Sequence, residues 1–319
     1  MENKSLIHLK KRFVSDYNLP IQVLHEPYFT YYLNLYEDTH KTLSRWTNLL
    51  EMIRNDFNDN IDNWLNYYST IRDKIITDIE KTPEYIDFSQ KYDMSQYNIT
   101  NICGDYNIYN TDCKGHILLS IDLKKANFQA LKYHNPKLVF DCNTYNEFIE
   151  LYSPYEYIKE SKYTRQVIFG KLNASRQTKI EKYIMSEIYN KLDIIEVVEA
   201  NSGKLISFKT DEIIFDVTEF NNTPLLTDLL NVKVNLPFDI RIELFKLELM
   251  QFKTHTDSNI NVWRKIFIDG HEELKSAPMT YYPQIYKAWK GIDLDDKDLV
   301  FFHENQLARF LYPITIEKR

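Results

Sequence analysis

Three acidic residues stand out by where they fall in the chain. His116–Leu123 (HILLSIDL) is an apolar, strand-type run with Asp122 near its end. Leu205–Val217 (LISFKTDEIIFDV) holds two such runs around the polar insert Lys209–Thr210–Asp211–Glu212. Acids at the tip of an apolar hairpin are costly to bury unless something compensates them, and a divalent cation is the usual compensation. Two strands that each deliver a carboxylate near an end are what two-metal phosphoryl transfer needs, since the carboxylates must hold two hard cations rigidly. On this reading Asp122 and Asp211 ligate Mg²⁺ or Mn²⁺, and Glu212 supports the metal site. The plainer alternative is a set of solvent-facing acids at strand ends.

Cations follow between the two acidic segments, in the run Tyr157–Lys171. A triphosphate is strongly anionic and must be met by positive charge. Lys162 and Arg165 are three apart and share a helix face, while Lys162 and Phe169 are two turns apart, so a cation and an aromatic ring share a face as well. That suits a nucleotide, with phosphates on the cation and the base near the ring. Lys171 and Arg176 extend the positive charge. A solvated helix face is the alternative.

The elements that must position these residues can be read from periodicity. Residues 1–97 predict a helical subdomain. Leu43, Trp46, Leu50 and Ile53 lie on one face, and so do Ile61, Trp64, Leu65, Tyr68, Ile71, Ile75 and Ile79. From about residue 98 the pattern becomes strand, turn, strand, with Gly104 and Gly115 as turn residues. A long amphipathic helix is expected after Asn173, with the stripe Ile180, Ile184, Ile188 and Leu192. Asp193–Val217 reads as β-structure, and a helix is expected over residues 239–253. The expected class is α+β, divided into residues 1–97, 98–235 and 236–319.

The order of these pieces resembles the palm and fingers of right-hand polymerases, and is most similar to the family B DNA polymerases. That family's first motif is a strand ending in Asp that enters a turn and helix; here it is SIDLKKANFQAL. Its second has Lys, three residues, Asn-Ser, one residue and Tyr-Gly; KYTRQVIFG keeps the spacing with Lys162, Gln166, Val167, Phe169 and Gly170. Its third is Asp-Thr-Asp-Ser between two strands; here Lys209, Thr210, Asp211 and Glu212 stand in its place. Lys209 replaces an acid of the family, and Asp-Glu is the family A pattern. The family's tyrosine under the incoming sugar would fall near Asn127, which leaves the choice between deoxyribose and ribose open. RIELFKLELMQF followed by WRKIF resembles the helix and primer-gripping element of the family, with Arg264, Lys265 and Phe267 at the matching positions.

The resemblance covers about residues 110–280 and implies a palm with an inserted, small helical fingers region and a thumb-like C-terminal part. It implies a template-directed DNA polymerase without an exonuclease. Primer-template nucleic acid, nucleoside triphosphates and possible replication proteins would be its partners. Asp122, Asp211 and Glu212 would be catalytic. Lys162, Arg165, Gln166, Phe169, Gly170 and Asn127 would face the nucleotide, and Lys171, Arg176, Arg264 and Lys265 the nucleic acid. A polymerase-like protein without catalysis, which binds nucleic acid or assembles a replication complex, is the rival reading. A structural protein with no nucleic-acid role is a third.

Bulk properties bound these readings. The 319 residues suffice for one large domain or a few small ones, and the net charge of −7 argues against extensive coating of duplex nucleic acid. The wealth of Tyr, Asn, Ile and Lys fits AT-biased coding of the kind common in viral genomes. Cys103, Cys113 and Cys142 cannot close a disulfide framework, which points to a reducing compartment. Cys113 and His116 alone have short zinc-ligand spacing, so core cysteines are the favoured reading. The acidic run at 292–298 lacks a full calcium loop and reads as a solvated turn. No apolar run spans a membrane, so a soluble protein of the cytoplasm, that of a host cell if viral, is expected.

Overall fold

The computed structural model describes residues 3–90, 92–99, 103–220, 237–304 and 306–316. Its first part is helical: α1 (Lys4–Asp16), α2 (Tyr28–Leu35), α3 (Glu37–His40), α4 (Thr42–Asp56), α5 (Ile61–Glu80) and α6 (Pro83–Gln90). Trp46 and Ile53 of α4 and Trp64, Tyr68, Ile71, Ile75 and Ile79 of α5 are buried, as their helical spacing predicts. The Asn60 side chain accepts from the Asn63 N–H, so the polar stretch before α5 is its cap.

β1 (Ile117–Leu123) follows, then α7 (Ala126–His134), α8 (Tyr145–Glu150), α9 (Glu156–Glu160), α10 (Lys162–Lys171), α11 (Ala174–Lys191) and α12 (Asp193–Ala200). The chain returns through β2 (Lys204–Phe208) and β3 (Glu212–Asp216), then β4 (Ile240–Lys253), β5 (Asn259–Phe267) and β6 (Glu272–Lys275). A helix at Tyr282–Lys290, the hairpin β7 (Val300–His303) and β8 (Gln306–Arg309), and β9 (Thr315–Ile316) complete it. The main sheet is antiparallel in the order β2-β3-β1-β4-β5-β6, with β9 on β4. The class is therefore α+β. Among the described residues no helix is long and apolar enough to cross a membrane.

Alternation along the strands gives the sheet two faces. Leu119, Ile121, Ile213, Phe215 and Leu244 point into the main core, which the helices cover. Leu118, Ile214, Phe245, Leu247, Trp263 and Phe267 point the other way, into a smaller core closed by Ile108 and Cys113. The segment ahead of β1 thus acts as a cover. The run 101–123 reads as strand, turn, strand; its second strand is β1, but residues 103–116 hold only a short 3-10 turn at Thr111–Cys113 in place of the first.

Two further expectations are corrected. Residues 239–253, expected as helix, form the long strand β4. Ile240, Ile242 and Leu244 alternate with Arg241 and Glu243, and pairing to β1 on one side and β5 on the other outweighs the helix preference of Glu, Leu and Lys. Asp193–Ala200, expected as strand, is the helix α12, whose buried Ile195 and Val198 lie three apart. Their burial in the main core outweighs the strand preference of Ile and Val. The basic helical run is also divided. Ser161 breaks it into α9 and α10 and caps α10 by accepting from the Thr164 N–H.

The boundary drawn at 235/236 lies outside the described residues, but β4 beyond it pairs along its first half with β1 ahead of it. The C-terminal part also docks on the N-terminal helices. Tyr31 donates to Asp298 at 2.8 Å, and Tyr36 meets Tyr286 edge-on at 4.9 Å. The 292–298 turn is not fully solvated, because Asp298 is buried against Lys287 at 2.8 Å.

Candidate functional site

β1 and β3 bring the predicted acids together. Asp122 sits directly opposite Glu212 in the ladder, and the Leu123 N–H donates to the Asp211 carbonyl at 2.8 Å. The turn between β2 and β3 is tight, with the Lys209 N–H bonded to the Glu212 carbonyl at 2.8 Å. Opposite residues of an antiparallel pair share a face. Asp122, Glu212 and, from β4, Glu243 therefore lie beside the smaller core, on the sheet face away from the helices.

Like charges crowd this strand end. The Asp122 carboxyl is raised above its usual pKa by burial, against the pull of Arg241, with Asp211, Glu212 and Glu243 adding to the rise. Asp211 is raised by desolvation and then by Glu212, with Lys209 and Lys162 opposing. Cations partly answer the crowding: Arg241 reaches Asp122 at 3.3 Å, and Lys209 reaches Glu212 at 3.2 Å. Ser120 donates to Glu212 at 2.7 Å and fixes its other oxygen. Among the described residues no three His, Cys, Asp or Glu side chains are placed to hold one metal ion. Cys113 and Cys142 are buried in apolar clusters, and His116 pairs with Asp216 at 2.8 Å.

Residues that the sequence reading passed over complete the site. Glu181, buried on α11, accepts from Asn127 at 2.7 Å, and its carboxyl is pushed up to about 7 by burial and then by the Asp211 charge. Arg241 and Glu243 come from the strand that had been expected as helix. A signal for Glu181 existed: Gln177 and Glu181 are polar, one turn apart, and border the Ile180–Ile184–Ile188 stripe. For Arg241 and Glu243 the signal was the alternation along β4.

The other predicted residues divide. Lys162, at the first turn of α10, lies near enough to Asp211 to lower its pKa. The Arg165 guanidinium lies 5.8 Å from the centre of the Tyr145 ring. Gln166, Gly170 and Lys171 are exposed. Phe169 is fully buried against Tyr145 and Phe148, so it supports α10 from within and does not share the exposed face of Lys162. Arg176 donates to the Tyr92 carbonyl at 2.8 Å and serves to fix α11 to the chain after α6. Arg264 and Lys265 are neighbours on a strand and so point to opposite faces. Arg264 is engaged by Glu272 at 2.7 Å and Glu248 at 3.4 Å. Lys265 is buried with its ammonium 3.9 Å from the Phe245 ring, and burial lowers its pKa against the pull of Glu212 and Glu243. These two cations do not form one primer-gripping surface.

A cavity of about 360 Å³ opens beside the acidic strand end, between α7, the start of α8 and the segment entering β4. Comparison of the chain with protein-family models, curated proteins and solved structures found no match.

Proposed function

We propose that the protein is a palm-type nucleotidyltransferase that extends a nucleic-acid 3′ end from nucleoside triphosphates. One observation carries this reading: the bond from Leu123 N–H to the Asp211 carbonyl, with Asp122 opposite Glu212, gathers acids from two distant segments at one end of adjacent strands. Helices α10 and α11, inserted between those strands in sequence, bring Lys162 and Glu181 to the same end.

The donor set is made of hard carboxylate oxygens, which suit Mg²⁺ or Mn²⁺, and the mutual repulsion of Asp122, Asp211, Glu212 and Glu243 is of the kind a cation relieves. Asp122 and Asp211 would hold the metal, with Arg241 turning away from Asp122. Bound there, it would favour ionisation of the attacking hydroxyl and neutralise charge on the phosphates. Ser120 and Lys209 hold Glu212 in place to support this end of the sheet. On this reading Lys162 would supply positive charge toward the reacting phosphates, and Asn127, tied to Glu181, would meet the sugar.

The test is primer extension with primer-template, dNTPs or NTPs, and Mg²⁺ or Mn²⁺. Extension by the wild type and its loss, by about a hundredfold or more, in Asp211→Asn are expected. No extension by the wild type, or equal activity in Asp211→Asn, overturns the reading.

A second reading is favoured by the ion pairs Arg241–Asp122 and Lys209–Glu212, in which protein cations stand against the acids. The chain would then be a catalytically inactive relative in form, acting as a nucleic-acid-binding or replication-assembly protein. Calorimetric titration with Mn²⁺ separates the two. Binding that is lost in Asp122→Ala supports the enzyme, and no binding supports the inactive form.

A further inference from the structure

The cavity beside the acidic strand end has an unusual lining for an acidic protein. Lys124, Lys125 and Lys132 border it, together with the rings of Phe128, Tyr145 and Phe238, and among the described residues Asp239 is the one acid in its lining. The chain as a whole carries −7, so this concentration of cations runs against its average.

The lysines are only partly answered. Lys124 pairs with Asp239 at 3.1 Å. Lys125 donates to the Asn146 side chain at 2.8 Å and lies 4.9 Å from the centre of the Tyr145 ring. Lys132 donates to the Asn143 carbonyl at 2.9 Å. Among the described residues neither Lys125 nor Lys132 forms an ion pair with a carboxylate. Arg165 adds a further positive charge beyond Tyr145 and helps to lower the Lys125 pKa, after burial. An anion would relieve this repulsion.

The wall is also rigid. Gln129, buried, donates to the carbonyls of Lys124 and Asp239 and accepts from the Asp239 N–H at 2.9 Å. The Lys124 N–H in turn bonds the Asp239 carbonyl at 3.0 Å. The two chain segments that carry the cations are thereby locked together, which reduces the ordering a ligand must impose. Fixed cations beside aromatic walls match a molecule with a polyphosphate and a flat ring system.

We propose that this cavity binds a nucleoside triphosphate, with its phosphates on Lys124, Lys125 and Lys132 and its base against the aromatic wall. The ligand's identity rests on the reading of the chain as a nucleotidyltransferase; the affinity for polyphosphate rests on the cavity alone. The lysines that would hold the phosphates differ from the α10 cations that the sequence singled out, of which Arg165 only adds charge behind Tyr145.

The experiment measures binding of dATP, inorganic triphosphate and deoxyadenosine to the full chain by calorimetry in buffer containing EDTA, so that no metal bridges ligand to acids. We expect dATP and inorganic triphosphate to bind and deoxyadenosine to bind far more weakly. The double variant Lys125→Gln/Lys132→Gln should raise the dATP Kd by about tenfold or more, whereas Lys125→Arg/Lys132→Arg retains most of the affinity. Far-ultraviolet circular dichroism establishes that both variants fold. No binding of dATP or triphosphate, equal binding of deoxyadenosine, or loss confined to Lys162→Gln overturns the cavity assignment. Binding that persists in Asp211→Asn while the wild type extends no primer leaves the cavity standing and removes only the catalytic reading.

Discussion

At the scale of single residues, charge is unevenly compensated around Asp122 and Asp211. Each acid has a cation near it, and each is still held above its ordinary pKa. Glu181 is the clearest case, because it is buried and has Asn127 as its hydrogen-bond partner. Its carboxyl moves from 4.5 to about 7, by burial first and the Asp211 charge second. A raised folded-state pKa means that the folded state binds the proton more tightly than the unfolded chain does. Stability is then greatest below the unfolded value and falls as pH rises from about 4.5 to about 7. Glu181→Gln keeps an acceptor for Asn127 and removes the charge. It should stabilise the protein by on the order of 3 kcal/mol at pH 8 and by little at pH 4.5. Urea denaturation at the two pH values reads this directly, and equal gains at both would sink the argument. Glu181 was legible only in part: its place beside an apolar stripe was visible, but its approach to Asp211 depends on how α11 lies over the sheet.

At the scale of elements, polar contacts decide how the helices meet. Asp16, at the end of α1, is fully buried and accepts from Tyr68 of α5 at 2.6 Å, from Tyr157 of α9 at 2.7 Å and from Ser161 at 2.7 Å. Arg12 lies 4.8 Å from the centre of the Tyr68 ring and adds favourable charge. One carboxylate thus joins three helices and the break ahead of α10. Asp16→Ala leaves the Tyr157 hydroxyl without this acceptor inside the core and should destabilise the protein by about 2–4 kcal/mol, seen as a lower urea midpoint. A loss under about 0.5 kcal/mol, the range of ordinary surface changes, would show that the network contributes nothing. Because Ser161 caps α10, the same change should also loosen the helix that carries Lys162 and Arg165. The elements with strong periodicity, α4, α5, α11 and the β2–β3 hairpin, were legible from residues alone. β4 and α12 were not, since each has a local preference that its packing partner overrides.

At the scale of the molecule, one core runs from Leu9 to Val300 and ties the N-terminal helices to the sheet and to the C-terminal part. The three sequence segments are therefore parts of one packed body. The buried pair Lys287–Asp298, at 2.8 Å, lies at the closure between the ends, with Tyr31 of α2 donating to the same Asp298. Asp298→Ala strips the carboxylate from a buried ammonium and should destabilise the fold by about 3–5 kcal/mol. If the ends unfold as one unit with the sheet, the denaturation curve keeps a single transition at a lower midpoint. A new early transition that leaves the sheet intact would show the closure to be independent.

By itself the sequence determined the class of chain: helical spacing before residue 98, strands mixed with helices after it, and acids placed at strand ends around a basic helix. These are local properties, set by the period of apolar residues and by turn chemistry. The tertiary structure decided which of those residues meet. Strand pairing placed Asp122 opposite Glu212 and beside Arg241. Packing closed Phe169 into the core, sent Arg264 and Lys265 to opposite sheet faces and brought Glu181 toward Asp211. Local pattern specifies which face of an element is buried, but which strand or helix that face meets arises from contacts between residues far apart in the chain.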